Sequence, residues 1–453
     1  MVPCTWYLEG FILQQMMDLS IVIPVGRKEN DFKLIKQIRG KFKNCEIIIV
    51  TDEANEFIKS EELDVDQTFS LRDSSRAKAL NTGARLATRR NLWLLHLDSK
   101  VDHVQPSDLM LFDEFDVSTF LLEFDQANCW WIAAGTNFRT KVFGIPFGDQ
   151  SFLLSKKLFD FIGKFDEDLL EGEDHEFIWR MKSLNIRLNV INKHIITSAK
   201  KYVSKRIYQT LKSLSKTFLQ AMKFYRSRKS IVLATFIKYP RSPESKSRLR
   251  KGLDDEFVNT LNENLINITY GNLKRLRQRK KIHFIKVCRD VDEEKLNSYA
   301  EVHQGKFINQ DQKLSRIMSE LTELALKTIG KIALLGSDIP TLNVEDLNEA
   351  LSKRLDKRSH FFSTEDGGFC FMISNDHDVV DCLSKVKSST TSVMQTLTEC
   401  LDRADVSKKI FTDVDVTLDL RRVYAQLRAN KVNLSNEQKD LLYFLKANEG
   451  SFT

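Results

Sequence analysis

Three short runs near the start of the chain are apolar at nearly every position: Leu19 to Pro24 (LSIVIP), Glu46 to Val50 (EIIIV) and Leu92 to Leu97 (LWLLHL). A strand with one wet face alternates apolar and polar residues. A run without alternation is covered on both faces, as in a parallel sheet with helices on either side. Segments with helical spacing lie between these runs. Phe32, Leu34, Ile35 and Ile38 fall within Asp31 to Lys41, and Ala77, Leu80, Ala84 and Ala87 within the stretch from Ser74 to Lys100. Asn81 and Gly83 interrupt the second of these helices, and Val65 to Phe69 reads as a further strand. The β-α-β-α-β order predicts an α/β fold with a mostly parallel sheet.

Asp98-Ser99 follows Leu97, where the strand should stop. In open α/β sheets ligands bind beyond the carboxyl ends of the strands, so Asp98 is expected to point into that crevice. A carboxylate there suits a divalent metal and, through it, a diphosphate. The plainer alternative is a capping or loop aspartate. No GxGxxG follows the first strand, which removes the main support for a dinucleotide-binding reading.

From Trp130 the pattern changes. WWIAAGTNFR reads as a strand, Phe147-Gly148-Asp149-Gln150 as a polar turn before the apolar SFLLS, and Lys156 to Ile162 as a helix. Glu171, Glu173, Asp174 and Glu176 then crowd together just before a helix carrying Phe177, Ile178, Trp179 and Met181. Acids at a helix start often only complement its dipole. So many in one turn also repel one another, which predicts a carboxyl pKa raised toward that of a general base.

Between Ala199 and Lys229 lysines and arginines recur with no acid among them, and Ile207, Leu211, Leu214, Phe218 and Met222 form an apolar stripe. This segment reads as a basic amphipathic helix joining two domains, with contact to an anionic membrane surface as its functional alternative. No aromatic stacking module accompanies it, so a nucleic-acid partner is not expected. A chain of 453 residues predicts about two or three domains. The expected boundaries are an N-terminal extension 1–18, a first domain 19–198, the linker helix 199–229, a second domain 230–430 and a tail 431–453. The extension lacks the order of a secretory signal, and the natural start is expected at Met16 or Met17. The tail reads as a helical appendage.

The second domain repeats the plan without close sequence repeats. Ser230 to Phe236, Ile282 to Cys288, Lys331 to Leu335 and FCFMI read as strands, with another expected near Ile410. Lys331 to Leu335 runs into GSDIPTL, again a buried strand followed by an aspartate, Asp338. The net charge of +7 permits phosphate or anionic lipid as a partner without demanding nucleic acid. Seven scattered cysteines with no CxxC pair predict reduced thiols in a cytoplasmic protein, and neither a zinc site nor a disulfide frame.

Four ordered motifs in the first half carry a family resemblance. They are Ser75-Arg76-Ala77-Lys78-Ala79-Leu80-Asn81-Thr82-Gly83-Ala84, Leu95-His96-Leu97-Asp98-Ser99, Phe147-Gly148-Asp149-Gln150 and Glu173-Asp174-His175-Glu176-Phe177. With them the first half, from SIVIP to TSAKKY, resembles family 2 glycosyltransferases of the GT-A fold. It is most similar to the radical-SAM/selenodomain-associated transferase 2 type. The resemblance implies inverting transfer of a sugar from a nucleotide-diphosphate donor to a hydroxyl. The acceptor could be a small molecule, a lipid or a glycan. Pro24, Val25, Asp52, Arg76 and Asn81 would then serve the donor, and Asp98 would hold Mg²⁺ or Mn²⁺. Asp174 would be the base with Glu173 beside it, and Asp149 and Gln150 would line the acceptor side. His96 stands where the common DxD metal motif has its first aspartate.

The second half resembles the radical-SAM/selenodomain-associated transferase 1 type, a GT-A and nucleotidyltransferase-like family. The motifs are Lys246-Ser247-Arg248-Leu249, Gly336-Ser337-Asp338-Ile339-Pro340, Asp366-Gly367-Gly368-Phe369, and Asp413-Val414-Asp415 with Asp419-Leu420. The resemblance implies Lys246 and Arg248 for phosphate oxygens and Asp338, Asp366 and Asp415 for the site, with metal at Asp338 and Asp415. The expected fold is thus two GT-A-like, Rossmann-like domains. The second either makes the activated sugar as a nucleotidyltransferase or has lost activity.

Overall fold

The computed structural model describes residues 18–55, 57–58, 63–111, 113–169, 171–199, 228–289, 307–309, 313–387 and 391–452. Residues 1–17 of the expected extension and 200–227 of the expected linker helix lie outside them. The chain divides into two compact units, residues 1–228 and 229–453.

The first unit is built on seven strands: β1 (Leu19–Val25), β2 (Glu46–Asp52), β3 (Gln67–Leu71), β4 (Asn91–Leu94), β5 (Val117–Phe124), β6 (Phe152–Ser155) and β7 (Leu188–Thr197). Their order in the sheet is β3-β2-β1-β4-β6-β5-β7. The pairs among β3, β2, β1 and β4 are parallel, β6 is antiparallel to β4 and β5, and β7 is parallel to β5. Its helices are α1 (Lys33–Lys41), α2 (Arg76–Leu86), α3 (Trp130–Phe143), α4 (Lys156–Ile162) and α5 (Glu173–Ser183).

The absence of alternation in β1 and β2 has the expected cause. Ile21, Ile23, Ile47 and Ile49 pack with Leu34, Ile35 and Ile38 of α1 in one core cluster. On the other face α2 lies so close that a Cβ on Gly83 would stand 2.2 Å from Val22 Cγ1 and 3.3 Å from Val50 Cγ2. The glycine inside that helix is therefore a packing requirement. Ser75 caps the helix, its hydroxyl accepting from the Lys78 N–H at 3.2 Å.

The second unit has β8 (Ile231–Lys238), β9 (Ile282–Arg289), β10 (Phe307–Asn309), β11 (Ile332–Gly336), β12 (Ser359–Ser363), β13 (Phe369–Ser374) and β14 (Ala404–Val406). Their order is β10-β9-β8-β11-β13-β12-β14, the order of the first sheet seven strands on. The directions repeat as well, with β13 antiparallel to both neighbours. Its helices are α6 (Asp255–Arg279), α7 (Leu314–Thr328), α8 (Val344–Ser352), α9 (Val379–Lys385), α10 (Val393–Cys400), α11 (Thr417–Ala429) and α12 (Asn436–Ala447). The chain is α/β, with two mostly parallel sheets of the same strand order. Asp98 and Asp338 follow the equivalent strands β4 and β11.

Several sequence expectations need correction. Trp130 to Arg139 is not a strand but most of α3, with Ile132, Ala133, Thr136 and Thr140 buried at helical spacing. The strand propensity of Trp-Trp-Ile misled the reading. No strand lies at Ile410; Phe411 makes only an isolated bridge to Thr364. The tail is no appendage, because Leu441, Leu442 and Leu445 of α12 share a core cluster with Leu261 and Leu265 of α6. The thiols are not all reduced, since Cys382 at α9 and Cys400 at α10 form a disulfide. Cys45, Cys129, Cys288 and Cys370 are free and buried. No helix among the described residues is long and apolar enough to cross a membrane.

Candidate functional site

In the first unit, residues from four places meet beyond the carboxyl end of β4. A small pocket is lined by Arg76 and Leu80 of α2, Leu94 and His96 at the end of β4, Gly148 and Phe152, and Glu173 and Asp174 of α5, with Phe165 closing it. Each acid at the start of α5 has its own partner. Glu176 pairs with Arg180 one turn on, and Arg180 also donates to the Gly163 carbonyl at 2.7 Å. Glu173, buried, receives a hydrogen bond from Arg76 Nε. Asp174 accepts from the Gly148 N–H at 2.7 Å and from its neighbour's N–H, that of His175, at 2.8 Å.

This partition reverses the pKa expectation. Burial pushes the Asp174 carboxyl up, but His175, Arg76 and the Gly148 N–H outweigh it and hold it below the ordinary carboxylate value. Arg76 is pulled down by burial, yet Asp174, Glu173 and Asp149 raise it further above its already high value. The pocket therefore holds a fixed guanidinium and, at Asp174, an ionised carboxylate rather than a carboxyl poised near neutrality.

His96 turns its Nδ1 to Asp149 Oδ1 at 3.2 Å. Phe147 stacks on the His175 ring with centroids 4.2 Å apart, and the Arg139 guanidinium lies 3.2 Å from the Phe147 centroid. Gln150 is fully buried: its Nε2 donates to the Phe120 carbonyl, and its Oε1 accepts from Thr140 and from the Phe147 N–H. It holds the turn together, which leaves Asp149 as the residue of that pair able to face an acceptor.

Asn81 is likewise committed to structure, its amide bonded in both directions to the Phe165 backbone at 3.0 Å. Asp52, at the end of β2, accepts from the Ala54 and Ser74 N–H groups and pairs with Arg27 at 3.1 Å. It thereby ties together the loops after β1 and β2 and before α2, around Pro24 and Val25 at the end of β1. The Ala54 N–H, with Arg27, keeps the Asp52 carboxyl below its ordinary value.

Asp98 is exposed, and its carboxylate accepts from the Thr197 hydroxyl at 3.4 Å. Among the described residues no three His, Cys, Asp or Glu side chains are grouped so as to hold a metal ion. A divalent ion at Asp98 would take most of its ligands from a bound diphosphate and water, as Mg²⁺ commonly does.

The second site forms at the same edge of the second sheet. Lys246, in the loop after β8, reaches Asp338 Oδ2 at 3.0 Å and Asp415 Oδ1 at 3.1 Å, and Arg248 lies 3.5 Å from Asp415 Oδ2. Burial lowers the Lys246 pKa but the two carboxylates raise it on balance, so the ammonium stays charged. Asp366 accepts from Thr364 and from the Gly368 N–H in a tight turn. Gly367 in that turn has φ 87°, and a Cβ there would stand 2.1 Å from the Thr391 carbonyl oxygen. Asp413 joins the cluster, its pKa pushed up to about 7 by burial and by Asp338, Asp366 and Asp415.

Sequence reasoning passed over His96 as a ligand-facing group, Gly148, His175 and Asp413. Gly148 and His175 lie inside the quoted motifs, where attention went to the acids beside them. Asp413 stood two residues from the chosen Asp415, and only the fold sets it against Asp338, Asp366 and Asp415 together.

Residues 275–390 match the model of a family described as uncharacterized proteins conserved in bacteria, DUF2064. The match takes in Asp338 and Asp366 but not Lys246, Arg248 or Asp415. No curated protein matches the chain. Among solved structures, a protein described as a nucleotide-diphospho-sugar transferase from Desulfovibrio desulfuricans G20 is similar at 19% identity and a TM-score of 0.44, over 49% of this chain and 97% of that one. The mannosyltransferase PcManGT from Pyrobaculum calidifontis, in complex with GDP-Man and Mn²⁺, is similar at 12% identity and a TM-score of 0.33, over 48% of this chain and 71% of that one. TarS from S. aureus is similar at 14% identity and a TM-score of 0.33, over 46% of this chain and 44% of that one.

Proposed function

We propose that the first unit transfers a sugar from a nucleotide-diphosphate donor to an acceptor hydroxyl. The observation that carries this reading is the part-buried, ionised Asp174 carboxylate in one pocket with the Arg76 guanidinium. An ionised carboxylate can accept the proton of an attacking hydroxyl, and a fixed guanidinium can receive the negative charge that develops on a leaving diphosphate. A divalent cation, Mg²⁺ or Mn²⁺, bound through Asp98 would neutralise that charge as a Lewis acid.

Asp174 is the base, and Glu173 keeps Arg76 aimed into the pocket. Asp52, with Pro24 and Val25, shapes the crevice for the nucleotide. Asp149, held by His96, faces the acceptor. A single base opposite the leaving group gives inversion at the sugar carbon. The donor is a nucleotide sugar, and the acceptor a small molecule, lipid or glycan. We place the protein in the cytoplasm on the four buried free thiols among the described residues, against the one disulfide found there. The family 2 assignment and the division at residues 199–229 belong to this proposal.

Asp174→Asn tests the reading. Donor turnover should fall by about a hundredfold or more, while thermal unfolding of the variant stays cooperative. Wild-type turnover by this variant would remove Asp174 as the base.

For the second unit, the Lys246 ammonium between Asp338 and Asp415 supports a non-catalytic reading over metal-dependent nucleotidyl transfer. A cation already sits between the two carboxylates expected to hold the metal. Incubation with nucleoside triphosphates and sugar phosphates should then release no pyrophosphate; release would restore the nucleotidyltransferase reading.

A further inference from the structure

One disulfide stands among the described residues, and its two cysteines differ in access. Cys382, in α9, is 2% exposed, whereas Cys400, at the end of α10, is only half-buried. Cys45, Cys129, Cys288 and Cys370 are free thiols, all buried. Burial pushes the Cys45 thiol up to about 12 and raises that of Cys370 as well. Among the described cysteines, Cys400 is therefore the one that a thiolate from solution can approach.

The bond joins two helices that are held differently. α9 buries Val379, Cys382 and Leu383, and the Ser319 hydroxyl of α7 donates to its Val380 carbonyl at 2.9 Å. α10 buries Val393 and Leu397 alone. Links at its two ends add to that hold. The disulfide is at its C-terminal end. At the other end the Met394 N–H donates to the Gly367 carbonyl at 3.0 Å, and the Thr391 carbonyl oxygen occupies the place where a side chain on Gly367 would begin. Gly367 follows Asp366, whose carboxylate acts on Asp413 in the second site. A covalent link at one end of a short helix thus bears on a turn of that site at the other.

We propose that Cys382–Cys400 is a thiol–disulfide exchange site for a dithiol reductant, and that its cleavage releases α10 and with it the Asp366 turn. A thiolate of the reductant attacks Cys400 Sγ, and the Cys382 sulfur leaves as a thiolate and takes up a proton. The reductant's second thiol then attacks its own sulfur in the mixed disulfide, and Cys400 leaves and is protonated. Two electrons and two protons have passed to the chain, and the reductant has become a disulfide. Accessible disulfides are the ones that exchange, while enclosed ones resist. α9 keeps its place without the bond, because Val379, Leu383 and the Ser319 hydroxyl still hold it. This goes beyond the transferase reading and does not depend on it.

Reduction of the folded, full chain tests the site. After excess dithiothreitol without denaturant, alkylation and peptide mass spectrometry should find Cys382 and Cys400 as thiols. Hydrogen exchange of the same sample should be about tenfold to a hundredfold faster at α10, including Met394, and at the Gly367 and Gly368 amides, the scale expected on opening a loop of this size. α9 and α12 should not change, and oxidised glutathione should restore the slow exchange. The double variant Cys382→Ser, Cys400→Ser should exchange like the reduced wild type, with or without dithiothreitol. A bond that survives dithiothreitol until the chain is denatured overturns the proposal. So does a reduction that leaves α10 and the turn unchanged. Loss of protection throughout the second unit, in the reduced wild type or in the double variant, makes the bond a structural staple and overturns it too. A double variant that exchanges like the oxidised wild type has the same consequence.

Discussion

The backbone N–H of Gly148 donates to the Asp174 carboxylate at 2.7 Å, joining the turn before β6 to the first turn of α5. A Cβ at residue 148 would stand 3.2 Å from Asp174 Oδ2 and 3.3 Å from the His96 ring. Both side chains would have to give by a few tenths of an ångström. Gly148→Ala should therefore keep the fold and lower kcat about tenfold to a hundredfold by moving the carboxylate off line, with a smaller change in donor KM. Steady-state kinetics decide it: an unchanged kcat would show that this turn does not set the position of Asp174.

The pH profile follows from the same carboxylate. Asp174 has a folded pKa below the ordinary 3.8. It is thus mostly ionised above 3.8, and its contribution to stability is present there and is lost as pH falls through the lowered value. Transfer should show no acid limb from Asp174 between about pH 5 and pH 8. A rate that rises through pH 6 to 7, with a limb that shifts in Asp174→Glu, would mean a base tuned upward by its acidic neighbours.

Arg76 and Glu173 separate binding from stability. Arg76→Met leaves the buried Glu173 carboxylate without that partner, which should cost about 1–3 kcal/mol given that the guanidinium is itself half-exposed. It should also raise the donor KM. Adding Glu173→Gln removes the stranded charge, so the double variant should regain stability in urea titrations while its donor KM stays high. Recovery of both would reduce Arg76 to a structural role.

The class of the fold was legible in the sequence because the middle of a strand covered on both faces is apolar without alternation. Leu19–Val25 and Glu46–Asp52 announce a sheet buried on both sides, and Asp98 and Asp338 mark equivalent strand ends. What the sequence hid were matters of partnership. Gln150 and Asn81 look like ligand-facing amides, but each is spent on backbone groups more than 25 residues away in sequence. Four acids near one helix start suggest a raised pKa, yet Glu176 pairs with Arg180, Glu173 with Arg76, and Asp174 accepts from the Gly148 N–H. Gly83 looked like a weak point in a helix and is instead where α2 meets Val22. The α3 helix was misread because its aromatic residues face outward, the reverse of the usual arrangement.

Asp413 supplies a test in the second unit. Its pKa is raised from 3.8 to about 7, with burial the largest cause and Asp338, Asp366 and Asp415 adding to it. Between those values the folded chain holds a proton that the unfolded chain has released. Its stabilising contribution is complete below 3.8 and is lost as pH rises through about 7. All five tryptophans lie before residue 180, so fluorescence reports only the first unit. Hydrogen exchange of the full chain, corrected for the intrinsic pH dependence, reads the second. Protection of the β11 and β13 amides should decline from pH 5 to pH 8 in the wild type. Asp413→Asn should abolish that decline, because the amide carries no proton to lose. Lys246→Met should extend the decline to higher pH, since removing the ammonium leaves Asp338 and Asp415 to raise Asp413 unopposed. A decline that persists in Asp413→Asn would assign the proton to another group and leave Asp413 as an ordinary ionised carboxylate.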